Sequence, residues 1–249
     1  EPVEHADDPV VEDTGGTPDS GETGDPPPST TVGGDPLCDP LAEEACMLPW
    51  PSDRYLVETF NHTGWSIAYE PEAAWVNVDD VQVDVSPFQR YDGFSPSSQI
   101  MTIFEEPADT TEAAFWDSID RSLDDDHPTV LLDLQTGERL PHWVENDVRA
   151  TDPGETLFFI RPTERLKSNR RYGVAIRNLN GISGNPLETS AAFAALRDGV
   201  TTEREDIERR RPYFEMLFTD LEEAGVERAS IQQAWWFQTA SDFSTRRGL

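Results

Sequence analysis

Lysine is almost missing from this chain. Of 19 basic residues only Lys167 is a lysine, and the basic set faces 49 acids for a formal charge of -30. That deficit excludes nucleic acid as an electrostatic partner, because phosphates would be repelled over most of the surface. It argues equally against docking on anionic lipid. Cysteine is scarce too: Cys38 and Cys46 are the only two, and with no histidine nearby they make too small a soft-ligand set for a structural zinc site. No apolar run approaches the roughly 20 residues that cross a bilayer, so no transmembrane segment is expected. Histidine is limited to His5, His62, His127 and His142. The Gly-x-Ser-x-Gly elbow of an α/β-hydrolase is absent, its nearest approach being Gly181-Ile182-Ser183-Gly184, one residue short. A nucleophilic serine needs a histidine base and an oxyanion hole at one point. His5 lies in an acidic leader, His62 and His127 fall in polar stretches, and His142 sits between Pro141 and Trp143 as a structural residue. There is no phosphate-cradling glycine loop, and the many carboxylates single out no glycosidase pair.

What remains is ample for one core, with 36% hydrophobic residues and 7 Trp. The material is unevenly spread. Residues 1–35 carry ten acids, no basic residue and no aromatic, in a Gly/Pro/Ser/Thr background that includes Pro26-Pro27-Pro28. Such a segment buries too little apolar surface to offset its ordering entropy, and it reads as a disordered, self-repelling linker. Asp13, Asp19 and Asp25 recur every six residues and raise the question of calcium, but the EF-hand spacing is not met. Residues 36–249 form the folded domain. The opening at Glu1, without Met or an apolar leader, fits a removed targeting peptide or an excised piece. The acidic surface admits two readings, an adaptation to salt or simple colloidal solubility.

Seven residues separate Cys38 from Cys46, which allows a small closed loop. An even cysteine count after an export-like tail favours a disulfide and an oxidising compartment. The following Leu48-Pro49-Trp50-Pro51 forbids helix and predicts a rigid strip over a core edge.

The body reads as strands. Val76 to Val85 alternate with a slip at Asp79-Asp80, which predicts a bulged strand or two short ones. Gln99–Phe104 is another strand. Thr111–Leu123 breaks the pattern with Phe115, Ile119 and Leu123 four apart, predicting a short amphipathic helix capped by Thr110 or Thr111. Thr129–Leu134 and Arg139–Val144 flank Gln135-Thr136-Gly137-Glu138 as a hairpin. Thr156–Arg161 and Arg171–Arg177 follow as strands joined in the manner of hairpin arms. Residues 202–225 read as helix from a Thr201 or Thr202 cap, kinked or split at Pro212 and ended by Gly225. Val226–Gln232 reads as a further short helix, and Ala234–Thr239 as a final buried strand. Strands at about ten-residue intervals point to a β-sandwich.

Candidate binding residues are few. Asp124, Asp125 and Asp126 beside His127 are the weak metal candidates, with calcium the one cofactor kept open; adjacent acids point apart, and a solvated loop is the simpler reading. Trp50, Trp65 and Trp75 are the candidate contact aromatics. Arg209-Arg210-Arg211 could hold an anion, yet Glu205 and Asp206 stand four residues ahead, the favourable order for ion pairs on a solvated helix face.

Several strips carry a resemblance. Thr156–Pro162, Arg171–Arg177 and Gly184-Asn-Pro-Leu to Ala192-Phe193 resemble the closing strands of bacterial Ig-like domains. Cys38 to Tyr55, Asp92-Gly-Phe-Ser-Pro96, Leu140-Pro-His-Trp143 and Ala234–Ser241 resemble the N-terminal module of myxobacterial-type surface lipoproteins, which precedes an α/β-hydrolase-like region. The resemblance spans about residues 37–245. It implies a mainly β, Ig-like β-sandwich with a helical pair inserted before the last strand, and it places no catalysis in this module. The expectation is therefore a non-catalytic, exported scaffold or contact module. It would be held by an upstream lipid anchor on the outer surface or in the periplasm of a bacterium, and its partner would be a protein or cell-surface polymer. An enzyme fragment whose catalytic part follows residue 249 is the first alternative, and glycan binding through exposed Trp the second.

Overall fold

The computed structural model describes residues 29–42 and 45–247. The expectations for residues 1–28, including the acids Asp13, Asp19 and Asp25, lie outside the described residues. Among the described residues there are eleven short strands: β1 Ser29–Thr30, β2 Leu56–Glu58, β3 Trp65–Ile67, β4 Ile100–Ile103, β5 Thr129–Asp133, β6 Glu138–Arg139, β7 His142–Asn146, β8 Leu157–Pro162, β9 Arg171–Arg177, β10 Thr201–Thr202 and β11 Ile231–Gln238. Three α-helices join them among the same residues, α1 Ala191–Arg197, α2 Glu205–Glu223 and α3 Asp242–Arg247. Strand takes about 26% and helix of all kinds about 24%. The expectation of a mainly β chain is met in part, since the 19-residue α2 and recurrent 3₁₀ turns stand beside the short strands.

Two antiparallel sheets dominate, one ordered β11-β9-β5-β6 and the other β4-β8-β7, with smaller pairs β2-β3 and β1-β10. Every residue of β5 and β11 is buried. A sheet wetted on one side would alternate, so this one is covered on both faces. On one face lies α2: a Cβ added at Gly173 would stand 2.7 Å from Leu217 Cδ1. Opposite Gly173 in the ladder is Trp236, whose ring packs on Tyr213 of α2. The adjacent Trp235, pointing the other way, donates from Nε1 to the Pro51 carbonyl at 2.8 Å. Residues of both large sheets enter one continuous core that includes Val144, Ile160, Val174 and Trp235.

The expected hairpin forms, with Leu132 opposite Arg139 and Gly137 at φ +70° in the turn. Its second arm then leaves. Pro141 has no N–H to continue the ladder, and β7 pairs with β8 in the other sheet. Likewise β8 and β9 are not hairpin arms, since β8 pairs with β4 and β7 whereas β9 pairs with β11 and β5.

Four further expectations are corrected. Thr111–Leu123 forms no α-helix, only turns and a 3₁₀ segment at Ile119–Leu123. Side chains take the amides a helix would have used: Asp109 accepts from Thr111 N, His127 Nε2 from Ala114 N and Ser118 Oγ from Phe115 N. Phe115 and Leu123, expected in the buried stripe, are exposed. Asp79-Asp80 is a turn rather than a bulge, with Asn77 Oδ1 accepting from Asp79 N and Val81 N and only Val76 bridged to Gln82. Pro212 sits inside one unbroken helix, and the N-cap of α2 is Arg204 rather than a threonine. Thr202 instead donates through N and Oγ1 to Glu208 Oε1. Finally, Val226–Gln232 holds only a 3₁₀ turn at Arg228–Ser230 before β11 begins, and α3 was not foreseen.

Two helices, α1 and α2, do precede the last strand, with α1 taking the Ala192-Phe193 end of the stretch read as closing strands. Ser29–Thr30 pairs with β10 and Val32 is buried, so the packed part begins several residues before position 36.

Candidate functional site: an aromatic pocket

The strip around Trp50 is not helical, as its prolines require, and both X–Pro bonds, Leu48–Pro49 and Trp50–Pro51, are cis. Trp50 exchanges two backbone hydrogen bonds of 2.8 Å with Met101 in β4. Its half-buried ring stacks on Tyr69 at 5.9 Å and meets Phe94 edge-on at 5.1 Å.

Phe94 is placed by a joint between two distant segments. Phe94 N donates to the Gln238 carbonyl at 2.8 Å, and Ala240 N returns a bond to the Phe94 carbonyl at 2.7 Å. Beside it the buried Asp92 carboxylate accepts from Ser241 N at 2.9 Å and from Ser241 Oγ at 2.5 Å. Only glycine fits between them, because a Cβ at Gly93 would lie 2.7 Å from Ala240 N. Asp92–Pro96 and Ala234–Ser241, separate in sequence, thus form one clamp.

These elements enclose a pocket of about 550 Å³ with Trp50, Tyr69, Phe88, Tyr91, Phe94 and Met101 among its lining. The cystine loop adjoins one wall. Cys38 and Cys46 are bonded with Cα atoms 4.6 Å apart, Met47 lines the pocket, and Trp75 Nε1 donates to the Cys46 carbonyl at 3.0 Å. The outer wall is Trp75, Val83 and Val85. It continues into an exposed apolar rim of Val76, Val81 and the fully exposed Val78. None of the lining side chains carries a charge. Burial pushes the Tyr69 phenol well above its usual range, so its hydroxyl stays protonated. Among the described residues no hydrogen bond engages that hydroxyl, whereas the neighbouring Tyr55 hydroxyl is fully buried without a partner.

The pocket brings Trp50 and Trp75 together and leaves Trp65 out. Trp65 is half-buried elsewhere, edge-on to Tyr213 and Trp236. Tyr69, Phe88, Tyr91 and Phe94 were missed as pocket residues; their one sequence signal is the density of aromatics between positions 50 and 104. Asp124, Asp125 and Asp126 are exposed, and what they offer the fold is backbone: Arg139 donates to the Asp124 carbonyl and Arg177 to that of Asp125. Among the described residues no three His, Cys, Asp or Glu side chains are grouped to hold a metal.

His127 is not in a solvated polar loop but buried with His142, and the two rings meet at 5.6 Å. Ala114 N donates to His127 Nε2 at 2.8 Å, which puts the proton on Nδ1, facing the Thr129 carbonyl at 2.8 Å. His142 Nδ1 faces the Leu140 carbonyl at 2.8 Å, leaving Nε2 to accept from Thr129 Oγ1 at 2.8 Å. Burial lowers both pKa values, that of His142 to about 4. Ser183 Oγ meets Glu106 at 2.7 Å rather than a histidine. The arginine run is split. Arg211 pairs with Glu208 on the helix, but Arg210 is buried and grips Asp53 and Asp39, a correction to the solvated-face reading.

Comparison with profiles of known families, with curated proteins and with solved structures finds no match.

Proposed function

We propose that the chain is a non-catalytic contact module of an exported bacterial surface protein, lipid-tethered upstream, and that the aromatic pocket with its valine rim is the contact surface. The observation that carries this reading is the continuity of an uncharged aromatic pocket with exposed valines on a chain of charge -30. Apolar surface kept open on so acidic a molecule is a place where something binds. The partner is a protein or cell-surface polymer presenting an apolar group. The disulfide beside the pocket wall supports an oxidising compartment. The two antiparallel sheets are read as the halves of an Ig-like sandwich, supported by their shared core and by the chain crossing between them after β6 and after β8.

Two measurements test the reading. The chain should not hydrolyse p-nitrophenyl esters above the buffer rate, and saturable turnover overturns it in favour of an enzyme. Val78→Asp should lower retention on phenyl-agarose without moving the melting temperature; unchanged retention removes the rim from the contact surface.

A further inference from the structure

The pocket is deep enough to say what kind of molecule enters it. We propose that it takes one small, uncharged, largely apolar molecule, aromatic or alicyclic, whose hydrogen-bond acceptor meets the Tyr69 hydroxyl. This rests on the contact reading above and specifies the chemistry of the apolar group that enters, for which a small free molecule is the probe.

Three observations carry it. The first is size: about 550 Å³ falls in the range of concave sites that take one small molecule, or one apolar group presented by a larger partner. The second is charge. No arginine, lysine, histidine or carboxylate lines the cavity, so neither an anion nor a cation would find a counter-charge after losing its water. Fatty-acid carboxylates, phosphates and amines are thereby excluded, and the acidic surface adds its own barrier to anions. The third is a polar handle among the rings. Tyr69 is almost completely buried and held between Trp50 and Phe88, and no hydrogen bond within the described residues engages its hydroxyl. A hydroxyl that the protein leaves unengaged is free to donate to an acceptor on the ligand. Burial also keeps the phenol protonated, so it can act as a donor across the physiological range.

The ring faces suit flat, apolar ligands. Trp50 and Tyr69 are stacked with an interplanar angle of 24°, and Phe94 stands edge-on to Trp50 at 78°. Aromatic partners favour offset-stacked or edge-to-face contact with such rings.

The test uses the whole chain and two naphthalene dyes that differ in charge. Prodan is an uncharged naphthyl ketone, and anilinonaphthalene sulfonate is an anion. Titrations are run in about 0.5 M NaCl, where the surface charge is screened and the remaining discrimination reports the lining. Prodan should bind one-to-one with a blue-shifted emission, at least tenfold more tightly than the sulfonate. Val83→Asp, at a partly exposed lining position, should weaken Prodan at least tenfold with unchanged near-UV circular dichroism. Tyr69→Phe should weaken it about fivefold, the usual effect of losing one neutral hydrogen bond.

Equal binding of the two dyes, or no saturable Prodan binding, overturns the proposal. So does Prodan binding that ignores Val83→Asp or Tyr69→Phe. If Prodan fails while Val78→Asp still lowers phenyl-agarose retention, the small-molecule occupant is wrong and the contact reading stands. Ester turnover defeats the contact reading whatever the dyes do.

Discussion

Arg210 is where the helix is tied to the cystine loop. Its guanidinium donates through Nε and Nη2 to Asp53 at 2.7 and 2.9 Å and through Nη1 to Asp39 at 2.8 Å. Asp39, inside the Cys38–Cys46 loop, also accepts from Ser52 Oγ at 2.8 Å. Burial alone would lower the guanidinium pKa, but the two carboxylates push it above its usual value, so the charge is kept. Arg210→Met leaves two buried carboxylates with no cation between them and should cost about 3–5 kcal/mol in urea unfolding. Arg210→Lys should recover little, because an ammonium cannot serve two carboxylates in a fixed fork. The histidine pair gives a second prediction at this scale. Both rings are neutral in the fold and protonate more readily unfolded, so their contribution is complete above about pH 6.5. It is lost as pH falls towards 4, where the unfolded chain takes up protons that the fold resists. For His142 the shift from 6.5 to about 4 corresponds to roughly 3 kcal/mol. Carboxylates titrate over the same span, so the measurement is a difference. Urea unfolding at pH 7 and pH 4.5 should show a larger loss in the native chain than in His142→Gln, and equal losses refute the assignment.

At the scale of elements, the clamp between Asp92–Pro96 and the end of β11 is the least tolerant joint. Gly93→Ala puts a methyl group 2.7 Å from the backbone at both Ala240 N and Thr239 C, so the strand end must shift. A loss of about 1–3 kcal/mol in thermal unfolding is expected, together with weaker Prodan binding, since Gly93, Phe94 and Ala240 share the pocket. A stable Gly93→Ala chain with native dye affinity would show that the clamp does not set the pocket. Elements of this chain were legible in the sequence where one local rule governed them. The hairpin turn at Gly137, the strand at Ile100–Ile103, the α2 stop at Gly225 and the cystine all follow from nearby residues. What failed depended on partners far along the chain. The Phe115, Ile119, Leu123 spacing was helical, but His127 took the amide of Ala114. Arg210 had acids at helical spacing, yet its partners are 171 and 157 residues away. The pocket was half visible for the same reason: Trp50 and Trp75 could be named, but the joint that carries Phe94 to Gln238 could not.

For the whole molecule the governing quantity is the charge of -30. Arginines are concentrated in pairs that the fold holds: Arg210 with Asp39 and Asp53, Arg211 with Glu208, Arg204 with Asp206 and Arg228 with Glu215. With those cations engaged, much of the acidic excess is left facing water, where like charges repel and favour expansion. Added salt therefore acts on two separable terms. Screening of self-repulsion is nearly complete once the Debye length falls to about 8 Å, near 0.15 M, and approaches 3 Å at 1 M. If the acidity serves solubility alone, the melting temperature should rise over the first few tenths molar NaCl and then level. The surface ion pairs are screened over the same range, but each is worth at most about 1 kcal/mol, too little to reverse that rise. A surface adapted to salt behaves differently, because its carboxylates hold hydrated counterions and gain stability well into molar concentrations. The first outcome is expected here. The same screening bears on the pocket, since an uncharged ligand has no counter-charge to lose. Prodan affinity should stay level or rise between 0.1 and about 1 M NaCl, the rise reflecting stronger apolar burial. A fall in affinity over that range would mean that charged groups take part in holding the ligand.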